Sequence, residues 1–221
     1  MSTVFLDKPA IDYPDSDGQP MADNTRQYEC MVTIKGGLDV VFADKPDVFV
    51  AGDLLWYPVE NHPEIRMAPD VYVAFGRPKG HRGSYKQWME DGVAPQVVFE
   101  VLSPRNTAAE MANKRAFYER YGVDEYYVHD PDRGTLVGYR REGNRLTEIP
   151  VMRGHISPRL QVRFELVDGE LHLYAPDGRR FQSFVEMAQD RDRALERADF
   201  GQQRADQLTE LLRQHGIEPP A

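Results

Sequence analysis

Hydrophobic positions along this chain gather into short β-prone runs through its middle and into a sparse helical repeat near its end. Residues 30–34, 47–51 and 54–57 each predict a strand, the first stopped by Gly36 and Gly37. Residues 71–75, directly after Pro69 and Asp70, and residues 96–102, up to Ser103 and Pro104, are almost continuously apolar. That is the pattern of strands buried on both faces. Residues 108–121 predict a helix, with Asn106 or Thr107 as its cap and Gly122 as its stop. A further strand follows at 124–129, then two hairpins, 135–140 with 145–149 and 161–166 with 170–174, the second turning at Asp168 and Gly169. From Phe181 to about His215 the apolar positions Ala188, Leu195, Ala198, Ala205, Leu208 and Leu212 recur at helical spacing. This is a long amphipathic helix with a thin seam, readable as a solvated helix or as a coiled coil.

These elements divide the chain into an acidic N-terminal arm expected to be flexible (1–28), an α/β domain (29–178) and a C-terminal helix (179–221). Residues 76–95 form a long loop with a short helix expected near 85–89. It carries Arg77, Lys79, Arg82, Lys86, Tyr85 and Trp88, which could clamp a phosphate backbone or stack on a base.

Charge refines this picture. The net charge of -9 argues against broad electrostatic binding of nucleic acid. Its distribution is uneven: residues 71–163 carry 15 basic and 11 acidic side chains, whereas both flanks are acidic. A local phosphate-binding face and ordinary charge fluctuation explain this equally well. The lone cysteine, Cys30, cannot form an internal disulfide and suits a reducing compartment. With no signal-like start and no apolar run long enough to span a membrane, the expectation is a cytoplasmic protein.

Candidate chemistry centres on two acids and a lysine. Asp70 opens one buried strand, and Glu100 lies inside the next, flanked by Val98, Phe99, Val101 and Leu102. A carboxylate in so apolar a strand is costly unless it is paired or metal-bound. Two acids at the mouths of neighbouring strands are the minimum set for Mg²⁺, which uses few protein ligands and keeps its waters. Lys114 lies on the helix after the Glu100 strand and could orient a water or meet a phosphate. The plainer alternatives are a buried ion pair for Glu100, a turn aspartate for Asp70 and a surface pair of Lys114 with Glu110 four residues before it. Asp53 is a possible further acid. His62, His81 and His129 lack zinc-site spacing, and Ser103 lacks the G-x-S-x-G setting of a serine hydrolase.

The run Pro69-Asp70-Val71, then Phe99-Glu100-Val101-Leu102-Ser103-Pro104, then Lys114 with Phe117-Tyr118, then Gly122 to Val128 and Asp130-Pro131 resembles the Uma-two family of restriction-endonuclease-like proteins. The resemblance covers about residues 39–163, and a tail like Leu211 to Ile217 occurs in some members. It implies membership of the PD-(D/E)XK nuclease superfamily and a mixed sheet flanked by helices. It further implies Mg²⁺-dependent (Mn²⁺ possible) cleavage of DNA phosphodiesters. Asp70, Glu100 and the main-chain carbonyl of Val101 would hold the metal. Leu102 stands where the motif has lysine, and Lys114 is the substitute the resemblance offers. A homodimer through the C-terminal helix would suit double-strand cleavage. The competing reading is a binding or interaction module on the same fold, with catalysis weak or lost.

Overall fold

The computed structural model describes residues 11–215. Part of the expected N-terminal arm (1–10) and the end of the tail from Gly216 onward lie outside the described residues. Contacts divide the chain between Phe181 and Gln182.

The first unit opens with helix α1 (Thr25–Val41), where a strand was expected at 30–34. Asn24 caps it by accepting a hydrogen bond from the Gln27 amide at 2.8 Å. The β-branched composition of 30–34 favours a strand, but Gln27, Met31, Ile34 and Leu38 recur at helical spacing and are the buried positions of this helix. Gly36 and Gly37 lie inside it and do not stop it. At Gly37 a Cβ would fall 2.1 Å from the Phe181 ring, so the glycine lets that ring lie against the helix backbone.

Ten strands follow: β1 (Val48–Gly52), β2 (Trp56–Tyr57), β3 (Val71–Phe75), β4 (Tyr85–Lys86), β5 (Val97–Val101), β6 (Glu125–Asp130), β7 (Thr135–Glu142), β8 (Arg145–Glu148), β9 (Arg163–Val167) and β10 (Glu170–Tyr174). Helix α2 (Ala108–Tyr121) connects β5 to β6. Its bounds are those expected from sequence. Thr107 and Glu110 form a capping box at its start, and Gly122 ends it in the left-handed conformation at φ 97°.

The main sheet has six strands in the order β1-β3-β5-β6-β7-β8. Within it, β5 and β6 pair in parallel, joined through α2, and the other neighbours are antiparallel; β2 and β4 form a separate parallel pair. The architecture is thus a mixed α/β sheet, as expected. β9 and β10 form a separate hairpin. Both expected hairpins are present.

Two apolar layers cover the sheet. One packs α1 with Val71, Phe99, Val101, Tyr127 and Phe164; the other packs Tyr118 of α2 with Tyr72, Val98 and Tyr126. Every residue of β5 is buried. Alternation along β5 sends Val101 toward the α1 side and Glu100 toward α2.

The loop between β3 and β5 is more self-contained than its charges suggest. Arg82 pairs with Glu90 and lies 4.0 Å over the Phe49 ring, while Arg77 meets Asp91 at 2.6 Å. Lys79 donates to the carbonyls of Phe42 and Ala43. Three of its cations therefore bind the protein itself.

The second unit is one helix, α3 (Phe184–Gln214), opened by a Ser183–Glu186 capping box; none of its residues is buried. Among the described residues, no helix is long and apolar enough to cross a membrane.

Candidate active site

The antiparallel register of β3 on β5 pairs Val71 with Phe99. One step further, Asp70 and Glu100 stand level at the same end of neighbouring strands. Asp70 Oδ2 accepts a hydrogen bond from the Val101 amide at 2.6 Å, which fixes the first acid against the strand that carries the second.

Glu100 is 2% exposed. Its Oε2 accepts from Lys114 Nζ at 2.7 Å and its Oε1 from the Tyr118 hydroxyl at 2.5 Å. Both donors come from α2, one helical turn apart, because the short β5–α2 connection lays the helix over the strand end. Lys114 thus reaches Glu100. Its expected alternative partner, Glu110, is engaged instead with Asn106 and the helix cap.

Electrostatics reflect this crowding. Burial and the neighbouring Glu100 raise Asp70 well above the ordinary carboxylate range, against the pull of Lys114 and the Val101 amide. Burial disfavours the charge on Lys114, yet Glu100 and Asp70 outweigh it and hold the ammonium above its usual value. Burial and Glu100 likewise keep the Tyr118 hydroxyl protonated. Cys30, on α1, is pushed up to about 12 by burial and by Asp70, so it is no thiolate nucleophile.

Two contributors escaped sequence reasoning. Gln27 of α1 donates from Nε2 to the Val101 carbonyl at 2.8 Å, and its Oε1 accepts from the Asp23 amide at 2.8 Å. Gln27 falls at the end of the expected N-terminal arm, just before the strand expected at 30–34, and its signal is its helical spacing with Met31, Ile34 and Leu38. Tyr118 was legible as a core aromatic but not as a hydrogen-bond donor to Glu100.

A cleft of about 310 Å³ is lined by Asp70, Lys114, Gln27 and Asp53, while Glu100 and Val101 lie behind this lining. Asp53 has φ 47° and donates its amide to the Asp70 carbonyl at 3.1 Å. Burial raises its carboxyl, with Asp17 and Glu100 adding to the rise and Lys114 opposing it. The expected acids and the lysine therefore gather in one place, with Asp53 beside them. Leu102 lies instead in a second groove of about 370 Å³, lined also by Met111, Arg115, Tyr126 and Tyr139. Among the described residues no three His, Cys, Asp or Glu converge as a metal-binding group.

The sequence of residues 37–161 matches the model of the Uma2 family, described as "putative restriction endonuclease". The chain belongs to the Uma2 family. Asp70, Glu100, Val101 and Lys114 of this Uma2 protein all fall within the matched span, whereas Gln27 precedes it. Among curated proteins no relative matches. A solved structure, a "putative nuclease belonging to DUF820" from Anabaena variabilis, is similar over 63% of this Uma2 chain and 74% of its own, at 15% identity and a TM-score of 0.47.

The donor set of this Uma2 site suits a small hard cation. Two carboxylates and a buried carbonyl offer only oxygen, and a cation beside Asp70 would offset the burial and the Glu100 repulsion that raise its pKa. Glu125 is another buried carboxylate held, like Glu100, by protein donors. It is satisfied by the Tyr127 hydroxyl, the Ser157 hydroxyl and the Arg159 amide, and it lies away from the cleft.

Proposed function

We propose that this protein is a metal-dependent endonuclease that hydrolyses DNA phosphodiester bonds. The observation that carries the reading is the meeting of Asp70, Glu100 and Lys114 at one end of β3 and β5, with Asp70 and Lys114 facing an open cleft. Asp70 and Glu100, with the Val101 carbonyl, would hold Mg²⁺ or Mn²⁺. Such an ion, when bound, neutralises phosphate charge and makes a water nucleophilic at neutral pH.

The residues themselves supply the rest. Lys114 keeps its proton, so it serves as a fixed positive charge for a phosphate oxygen and not as a base. Tyr118 holds Glu100 in one orientation, and Gln27 does the same for the Val101 carbonyl. The lone Cys30 suits a cytoplasmic setting.

A second reading keeps the fold and drops the cutting. It is favoured by one specific observation: both Glu100 oxygens and the Val101 carbonyl already have protein donors. The chain would then bind nucleic acid or a protein partner without hydrolysis.

Supercoiled plasmid incubated with purified full chain separates the two. Nicking with Mg²⁺ or Mn²⁺ that stops with chelator, and is absent in Glu100→Ala, is expected. Nicking that survives Glu100→Ala, or intact plasmid with either metal, sinks the catalytic reading.

A further inference from the structure

Residues 11–24 contain four aspartates, Asp12, Asp15, Asp17 and Asp23, and no lysine or arginine. They lie against aromatic and cationic side chains of the same unit. The Tyr13 ring stands 5.3 Å edge-on from Tyr57 and 5.1 Å from Trp88, with the Lys86 ammonium 5.2 Å over it. The Tyr57 hydroxyl donates to the Pro14 carbonyl at 2.6 Å. Asp15 accepts from the Ser84 hydroxyl at 3.0 Å and fills a cradle at Gly83, where a Cβ would come within 2.2 Å of its carboxylate oxygen. Asp17 and Asp23 then line the candidate active cleft, and Asp23 accepts from Arg105 at 2.9 Å and from the Ser103 hydroxyl at 2.6 Å.

The order is an aromatic ring held between aromatics and a cation, then acids seated on hydroxyls, a glycine backbone and an arginine, ending at Asp70 and Lys114. Aromatic stacking combined with spaced positive and hydroxyl donors is how proteins hold a single nucleic-acid strand. We propose that this track is the binding surface for one strand of the nucleic-acid substrate, and that residues 13–23 occupy it in the free protein, with Tyr13 in place of a base and Asp15, Asp17 and Asp23 in place of phosphates. The proposal rests on the reading of the cleft as a nucleic-acid site. It identifies the substrate-contacting surface as Tyr57, Trp88, Lys86, Ser84, Ser103 and Arg105. The strand must displace the segment to reach the acids, so the free protein binds more weakly than the bare surface would.

The test measures binding of a fluorescein-labelled single-stranded oligonucleotide to full-length protein in chelator, where nothing is cut. The variant Tyr13→Ala/Asp15→Asn/Asp17→Asn/Asp23→Asn should bind about tenfold or more tightly than the natural chain, and adding Trp88→Ala should remove the gain. In the natural chain, saturating oligonucleotide should speed hydrogen exchange at the amides of Asp23 and Asn61, whose acceptors are the Gln27 side chain and the Tyr13 hydroxyl. Unchanged or weaker affinity in the variant, absence of binding in both proteins, or exchange that stays slow with oligonucleotide bound overturns the proposal. The plasmid assay reads the other question separately. Tighter binding without nicking keeps this surface and removes the catalysis; nicking without tighter binding does the reverse.

Discussion

The side-chain amide of Gln27 on α1 holds the main-chain carbonyl of Val101 at the end of β5, 2.8 Å away. Its other end takes the Asp23 amide, so the group is oriented from both sides. Gln27→Ala leaves a buried carbonyl without its donor, which should cost about 1–3 kcal/mol in urea denaturation. If Val101 ligates the metal, the concentration of Mn²⁺ giving half-maximal nicking should also rise by roughly 10–100-fold. An unchanged metal requirement alongside reduced stability would confine Gln27 to a packing role.

Asp70 carries a pH signature. Burial and Glu100 raise its pKa in the folded state, so the fold binds that proton more tightly than the unfolded chain does. The associated stability is present below the ordinary carboxylate pKa and is lost as pH rises through the raised value. Asp70→Asn removes this loss. In chelator at neutral pH the variant should melt at a higher temperature than the natural chain and show a flatter pH dependence, while nicking disappears. Added Mn²⁺ should raise the melting temperature of the natural chain but not of the variant. A variant that melts lower at neutral pH would contradict the crowding of Asp70 by Glu100.

Lys114 and Glu100 form a buried pair, with side chains 15% and 2% exposed. Removing only the cation strands a charge in the core, so Lys114→Met should destabilise by about 3–5 kcal/mol. Glu100→Gln/Lys114→Met should recover most of that loss and still not nick plasmid. Equal stability of the single and double variants would show that the pair is not coupled.

Helix α3 buries none of its residues and presents Leu195, Phe200, Leu208 and Leu211 to solvent. A helix with exposed apolar residues is a candidate for self-association. Light scattering should give the full chain twice the monomer mass and a chain ending at Phe181 the monomer mass. Monomers in both cases would dispose of the coiled-coil dimer.

Several elements are legible in the chain because local physics sets them. The almost continuously apolar runs of β3 and β5 mark two buried strands, and the Thr107 cap and Gly122 stop bound α2 to the residue. Glu100 stood out because a carboxylate in such a strand demands a partner. The remaining features depend on long-range packing. Residues 30–34 have β-prone side chains, but the stripe Gln27, Met31, Ile34 and Leu38 buries against the sheet only as a helix, and packing outweighs propensities of less than about 1 kcal/mol per residue. Arg77, Lys79 and Arg82 looked like phosphate ligands, yet each found a partner within the fold, which no spacing in the chain could reveal. The meeting of Asp70 with Glu100 depends on the β3–β5 register, and that of Glu100 with Lys114 on how α2 lies over the strand end. Gln27 joins them across 74 positions of sequence, a separation that only the folded chain closes.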